Sequence, residues 1–113
     1  MDHVLRAWTF WIHAHLQDEC RADLEHFVFR QMRQAPGHQR VCALFRDAGD
    51  GTLEVMVLSL WDSIAHIQAF AGPDYLQPVI LPAHLDKVFD REPTVHHFAM
   101  SSVPPALRGW MST

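Results

Sequence analysis

The segment from Val4 to His13 constrains the fold most, because it carries bulky apolar side chains at both even and odd positions. In an extended chain Arg6, Trp8 and Phe10 share one face, and Leu5, Ala7, Thr9 and Trp11 share the other. A strand that is apolar on both sides needs cover on both sides, so this one is predicted to run through the interior of a sheet.

From Leu16 the period changes. Leu16, Cys20, Leu24, Phe27, Val28 and Met32 recur every three or four residues, while Gln17, Asp18, Arg21, Asp23 and Arg30 fill the opposite side. This amphipathic helix is predicted to stop at Pro36-Gly37, where proline breaks the ladder and glycine accepts a left-handed cap. Val41 to Phe45 and Leu53 to Leu60 read as a hairpin around the glycine-containing turn Asp47-Ala48-Gly49-Asp50-Gly51. Asp62 or Ser63 caps a second helix through Phe70, with Ile64, Ile67 and Phe70 on its apolar side and Gly72-Pro73 as its stop. Tyr75 to Phe89, with Pro78 and Pro82, is predicted to form short turns and irregular chain. A last strand spans Thr94 to Met100, with Val95, His97 and Ala99 opposite His96, Phe98 and Met100.

The resulting order, β-α-β-β-α-β, is the split βαβ arrangement of the ferredoxin-like α+β class: an antiparallel sheet with both helices on one face. The other face, on which Trp8, Phe10 and the hairpin strands are expected to place large apolar groups, has no cover within one chain. A second copy supplies it, which predicts a homodimer closed into a dimeric α/β barrel.

The chain's 113 residues leave room for one domain, assigned to residues 1–102, with residues 103–113 as a C-terminal arm whose Trp110 lies on the partner or in solvent. With 9 Lys plus Arg against 13 Asp plus Glu and no basic run, nucleic acid is excluded as a partner, since phosphate binding needs clustered cations. No apolar run reaches about 18 residues, so the sequence predicts no membrane span and a cytoplasmic protein. Cys20 and Cys42 are expected as reduced thiols.

Leu58-Ser59-Leu60-Trp61-Asp62-Ser63, Ile67-Gln68-Ala69-Phe70-Ala71-Gly72 and Glu92-Pro93-Thr94-Val95-His96-His97-Phe98 look like the SLWDS, IxAFAG and EPTVxHY patterns of one family. Arg6-Ala7-Trp8 looks like its first-strand RxW, and on these stretches the chain resembles the antibiotic biosynthesis monooxygenase-like family of dimeric α/β barrels. The resemblance implies a homodimer, and in some members an oxidation of polyphenolic intermediates by dioxygen with no cofactor. Related barrels that degrade haem carry a Trp and an iron-binding His on the helix after the third strand. Here Phe70 and Ile80 stand in that region, which argues against a haem-degrading site.

Arg6 and His97 fall on strands that are neighbours in this topology. An arginine in an apolar cavity stabilises an enolate or phenolate, and a neutral histidine removes the proton that creates it. The resulting carbanion reacts directly with dioxygen. The plainer reading pairs Arg6 with Glu54 or Glu92 and makes His97 a hydrogen-bonded core residue. Trp8, Trp61, Phe70 and Tyr75 are candidates to stack on a flat aromatic substrate, or are core. His84, after Pro82, is a candidate second acid or base, or a solvated loop residue. Neither His13-Ala14-His15 nor His96-His97 converges on one ion, so no metal site is predicted.

Three functions compete. The first is a cofactor-independent monooxygenase, or a related isomerase or cyclase, acting on a small aromatic or polyketide-like molecule. The second is a non-catalytic dimeric small-ligand-binding or stress-response protein, which a cavity too small for two rings would favour. The third is a haem-binding variant relying on His84 or His97.

Overall fold

The computed structural model describes residues 3–80, 87–102 and 104. Strand β1 (Val4–His13) runs antiparallel to β3 (Thr52–Trp61) along its whole length, from Val4 opposite Trp61 to His13 opposite Thr52. On its other side β1 pairs with two short segments, β4 (Asp90–Arg91) at Phe10 and Trp11 and β5 (His96–Ala99) at Val4 to Ala7. Strand β2 (His38–Gly49) closes the far edge against β3. The sheet is thus antiparallel in the order β2-β3-β1 with β4 and β5 sharing one edge, and β1 is interior, as both its apolar faces require.

The hairpin turn is short because Asp50 and Gly51 both take positive φ, 53° and 73°, which suits a two-residue connection between twisted strands. The first helical stretch runs as α1 (Gln17–Asp23), a π turn (Leu24–Val28) and α2 (Phe29–Gln34). Gly37, at φ 84°, ends it; a side chain there would collide with the ring of His66. Helix α3 (Ile64–Ala71) is capped by Ser63, whose hydroxyl accepts the His66 N–H, and ends at Gly72 with φ 97°.

Both helical stretches lie on one face. Leu24, Phe29 and Met32 from the first and Ile67 from the second pack on Phe10, Ile12, Val55, Val57 and Trp61. Two expectations are corrected by this arrangement. Trp8 and Phe10 belong to the helix-covered face, and the uncovered face carries Leu5, Trp11, Leu44, Met56, Leu58 and Phe98 instead. Alternation along β1 shows which residues share a side but not which side the helices choose, since both sides are apolar. Phe27, expected in the helix's apolar stripe, is 48% exposed, and Phe29 is buried in its place. The π turn inserts one extra residue per turn, so the buried face steps from Leu24 to Phe29 rather than to Val28 alone.

Strand β4 was not expected, because Asp90-Arg91 has no strand-forming pattern; β1 supplies its ladder partners. Among the described residues no helix is long and apolar enough to cross a membrane.

Candidate functional site

A cavity of about 80 Å³ lies between the sheet and the helices. Arg6, Trp8 and Phe10 from β1 form its floor, Leu24 and Met32 its roof, and Phe70 with Pro78, Val79 and Ile80 one wall. Lys87 stands at the rim, donating to Asp23 at 2.8 Å and within 3.1 Å of Glu19, and so ties the chain near β4 to α1. The wall is apolar except for a few groups, which is the composition of a small-molecule site, although 300–1,000 Å³ is the more common size. About 80 Å³ suits a single ring better than two.

Arg6 is the exceptional member. It is buried, 5% exposed, yet hydrogen-bonds only to neutral groups among the described residues. Its Nη1 donates to the Tyr75 carbonyl at 2.7 Å and lies 3.0 Å from His97 Nε2, and its Nη2 donates to the Gln77 carbonyl at 3.2 Å. The expected carboxylates are engaged elsewhere: Glu54 with Arg46 at 2.7 Å and Glu92 with His96 at 3.0 Å. Burial lowers the Arg6 guanidinium to about 10, so it stays charged at neutral pH.

His97 reaches Arg6 because β5 sets it directly opposite Arg6 across β1. Burial first, then the Arg6 charge and then His96, lower its imidazole to about 4. An arginine has no lone pair to offer, so Nε2 must be the acceptor. The electron pair that a general base would use is thus the one engaged with Arg6 in this structure.

The remaining candidates separate. Trp8 and Phe70 line the cavity, and Trp8 Nε1 is held by the Glu92 carbonyl at 2.9 Å. Trp61 is corrected from a substrate-stacking residue to a core one: it is fully buried, outside the cavity wall, donating to Ser59 at 2.9 Å and packed on Phe70 and His38. Tyr75 serves Arg6 through its backbone, and its ring meets His97 edge-on at 5.1 Å between centroids. His84 and Trp110 lie outside the described residues. Sequence reasoning missed Gln77, whose contribution is a main-chain carbonyl and therefore leaves no mark in residue type. It also missed Cys20 in the cavity wall, a thiol that burial raises to about 11 and so keeps unreactive.

Among the described residues no group of three His, Cys, Asp or Glu side chains could hold a metal ion. His96 and His97 point to opposite faces, the first to Glu92 and the second to Arg6.

No family model and no curated protein matches the sequence. Its fold, however, is found in solved structures. A candidate antibiotic biosynthesis monooxygenase from Bacillus cereus is 14% identical, covers 92% of this chain and 98% of its own, and superposes with a TM-score of 0.59. A monooxygenase from the ActVA-Orf6 gene of Streptomyces coelicolor, solved in complex with nanaomycin D, is 16% identical over 87% of each chain at 0.55. A heme-degrading protein from Mycobacterium tuberculosis is 18% identical over 85% of this chain and 91% of its own at 0.57. At such identities the likeness establishes the fold: a ferredoxin-like α+β domain of the kind seen in antibiotic biosynthesis monooxygenase-like proteins. Among the described residues the cavity wall contains no histidine, and the volume they enclose is far below that of a tetrapyrrole, so they do not fit haem; the candidate His84 lies outside them.

Proposed function

We propose that this chain is a monooxygenase-like protein whose cavity binds a small, flat molecule carrying one ionisable oxygen, an enol or a phenol. The observation that carries this reading is Arg6, a buried cation that bonds to no carboxylate among the described residues, the cavity's Asp23 being paired with Lys87. Burying an uncompensated charge is costly, so such a group is best explained by a ligand that brings the opposite one. In a low-dielectric pocket the guanidinium stabilises the enolate or phenolate and lowers the ligand's own pKa, so the proton can leave to water.

The oxidation this permits balances without an added cofactor. A ring CH₂ beside a carbonyl loses a proton, and its carbanion gives an electron pair to dioxygen and forms a C–O–O bond. The peroxide anion takes back a proton, and loss of water from the hydroperoxide leaves a carbonyl, with one oxygen atom in the product and one in water. Trp8 and Phe70 supply the flat apolar walls.

The working unit in this reading is a homodimer in which a twin sheet covers Leu44 and Phe98, now 53% and 50% exposed. It works in the cytoplasm, where Cys20 and Cys42, both unpaired, stay reduced. The small volume favours one competing reading, a non-catalytic binder of single-ring ligands.

Oxygen uptake separates the two. With 1,3-cyclohexanedione as a single-ring trial substrate, wild type is expected to consume oxygen and to place one atom of ¹⁸O₂ in the product. Arg6→Leu is expected to lose about a hundredfold in rate, the usual effect of removing an oxyanion donor. Binding without uptake would leave the non-catalytic reading in force.

A further inference from the structure

We infer that His97 is a positioning residue for Arg6: its Nε2 accepts a guanidinium N–H and holds the cation at the cavity wall without cancelling its charge, so the site selects ligands that bind as anions. This rests on the reading of the cavity as a ligand site.

The direction of the 3.0 Å contact is fixed by chemistry. Guanidinium offers five N–H donors and no acceptor, so the imidazole accepts through Nε2 and carries its own proton on Nδ1. The carbonyls of Tyr75 and Gln77 complete a set of three neutral acceptors. Such a set replaces water around the cation and leaves its full charge available. A carboxylate in the place of His97 would neutralise Arg6 and close the site to an anion, whereas a protonated histidine would repel the guanidinium and could not accept its N–H.

The charged and titratable groups around His97 are Arg6 from β1, His96 beside it on β5 and the Tyr75 ring from the turn after α3. Both Arg6 and His96 act with burial to favour the neutral ring. The histidine therefore remains an acceptor across the whole neutral range, as an anchor for a guanidinium requires. The same turn is tied to the residue just before β5 by the Val95 N–H to the Leu76 carbonyl at 2.7 Å, so the acceptors on both sides of Arg6 belong to one braced unit.

The test uses 4-nitrophenol, a single-ring probe whose phenol and phenolate absorb at different wavelengths. Bound to wild type, its ionisation midpoint is expected to fall by about one pH unit, a tenfold preference for phenolate. His97→Gln, whose Oε1 can accept the same N–H, is expected to keep that preference within about threefold, and His97→Leu to lose it. Independently of any ligand, long-range ¹H–¹⁵N spectra of wild type at pH 7 should show the Nδ1–H tautomer of His97. Should His97→Leu fail to fold, the tautomer and the glutamine variant still decide.

An Nε2–H tautomer, or an unchanged phenolate preference in His97→Leu, overturns the assignment. Equal loss in the glutamine and leucine variants does the same. Binding by wild type with no preference for either form overturns the positioning role and leaves the cavity reading standing; no binding at all removes both.

Discussion

The two faces of the sheet are built from the same strands and differ in what their side chains meet. On the helix side, Val55 and Trp61 are fully buried and Ile67 closes over them, so each side chain has a fixed set of neighbours. On the other side, Leu44 and Phe98 stand half exposed among Leu5, Met56 and Leu58, bordered by the Arg46–Glu54 ion pair. The covered face holds a polar exception, Arg6, inside an apolar wall; the open face has the reverse, apolar residues where water would be. On the function proposed above, the first pattern is read as a place for a small ligand and the second as a place for a large partner.

Three experiments press on that contrast. The largest effect belongs to the covered face: Trp61→Ala removes a fully buried indole and its bond to Ser59, and is expected to cost about 3–5 kcal/mol in urea unfolding. A loss below about 1 kcal/mol would mean that the two faces are not unlike in packing. Next comes Leu58→Glu on the open face. It is expected to weaken self-association by roughly a hundredfold, about 2.7 kcal/mol, in sedimentation experiments, while the far-UV circular dichroism of the subunit is unchanged. Unaltered association would remove this face from the interface.

The smallest effect is a pH dependence from the boundary of the covered face. His97 sits at about 4 in the folded chain, below its ordinary 6.5. As pH falls from 6.5 to about 4 the unfolded chain takes up a proton that the folded chain refuses, so stability is lost across that window and is intact above it. After allowance for solvent screening of a half-buried ring, the loss is about 1–2 kcal/mol. Comparing urea midpoints of wild type and His97→Gln isolates it, and parallel pH profiles would contradict it.

Much of this was legible in the residues. The limits of β1, a hairpin turn within Asp47 to Gly51 and a helix cap at Asp62 or Ser63 follow from alternation, positive-φ residues and capping chemistry, all of them local; the structure narrows the turn to Asp50-Gly51 and the cap to Ser63. The neighbourhood of Arg6 and His97 was legible too, because strand order alone brings them together. What resisted was anything decided by two elements jointly. The side chosen by the helices is a tertiary outcome, as Trp8 and Phe10 show. The swap of Phe29 for Phe27 depends on a single π turn, and the carbonyls of Tyr75 and Gln77 that hold Arg6 could have come from any residue type.

The divided edge made by β4 and β5 has a consequence for how the sheet meets other chains. A foreign strand arriving there finds two residues, an interruption at 92–95 that contains Pro93, and then four residues more, so no long row of free amide and carbonyl groups invites it to add on. The opposite border, β2, runs for twelve residues and is broken only near its ends, between His38 and Arg40 and between Asp47 and Gly49. Unwanted growth of the sheet in a crowded solution is therefore steered to a single flank, the one along Arg40 to Asp47.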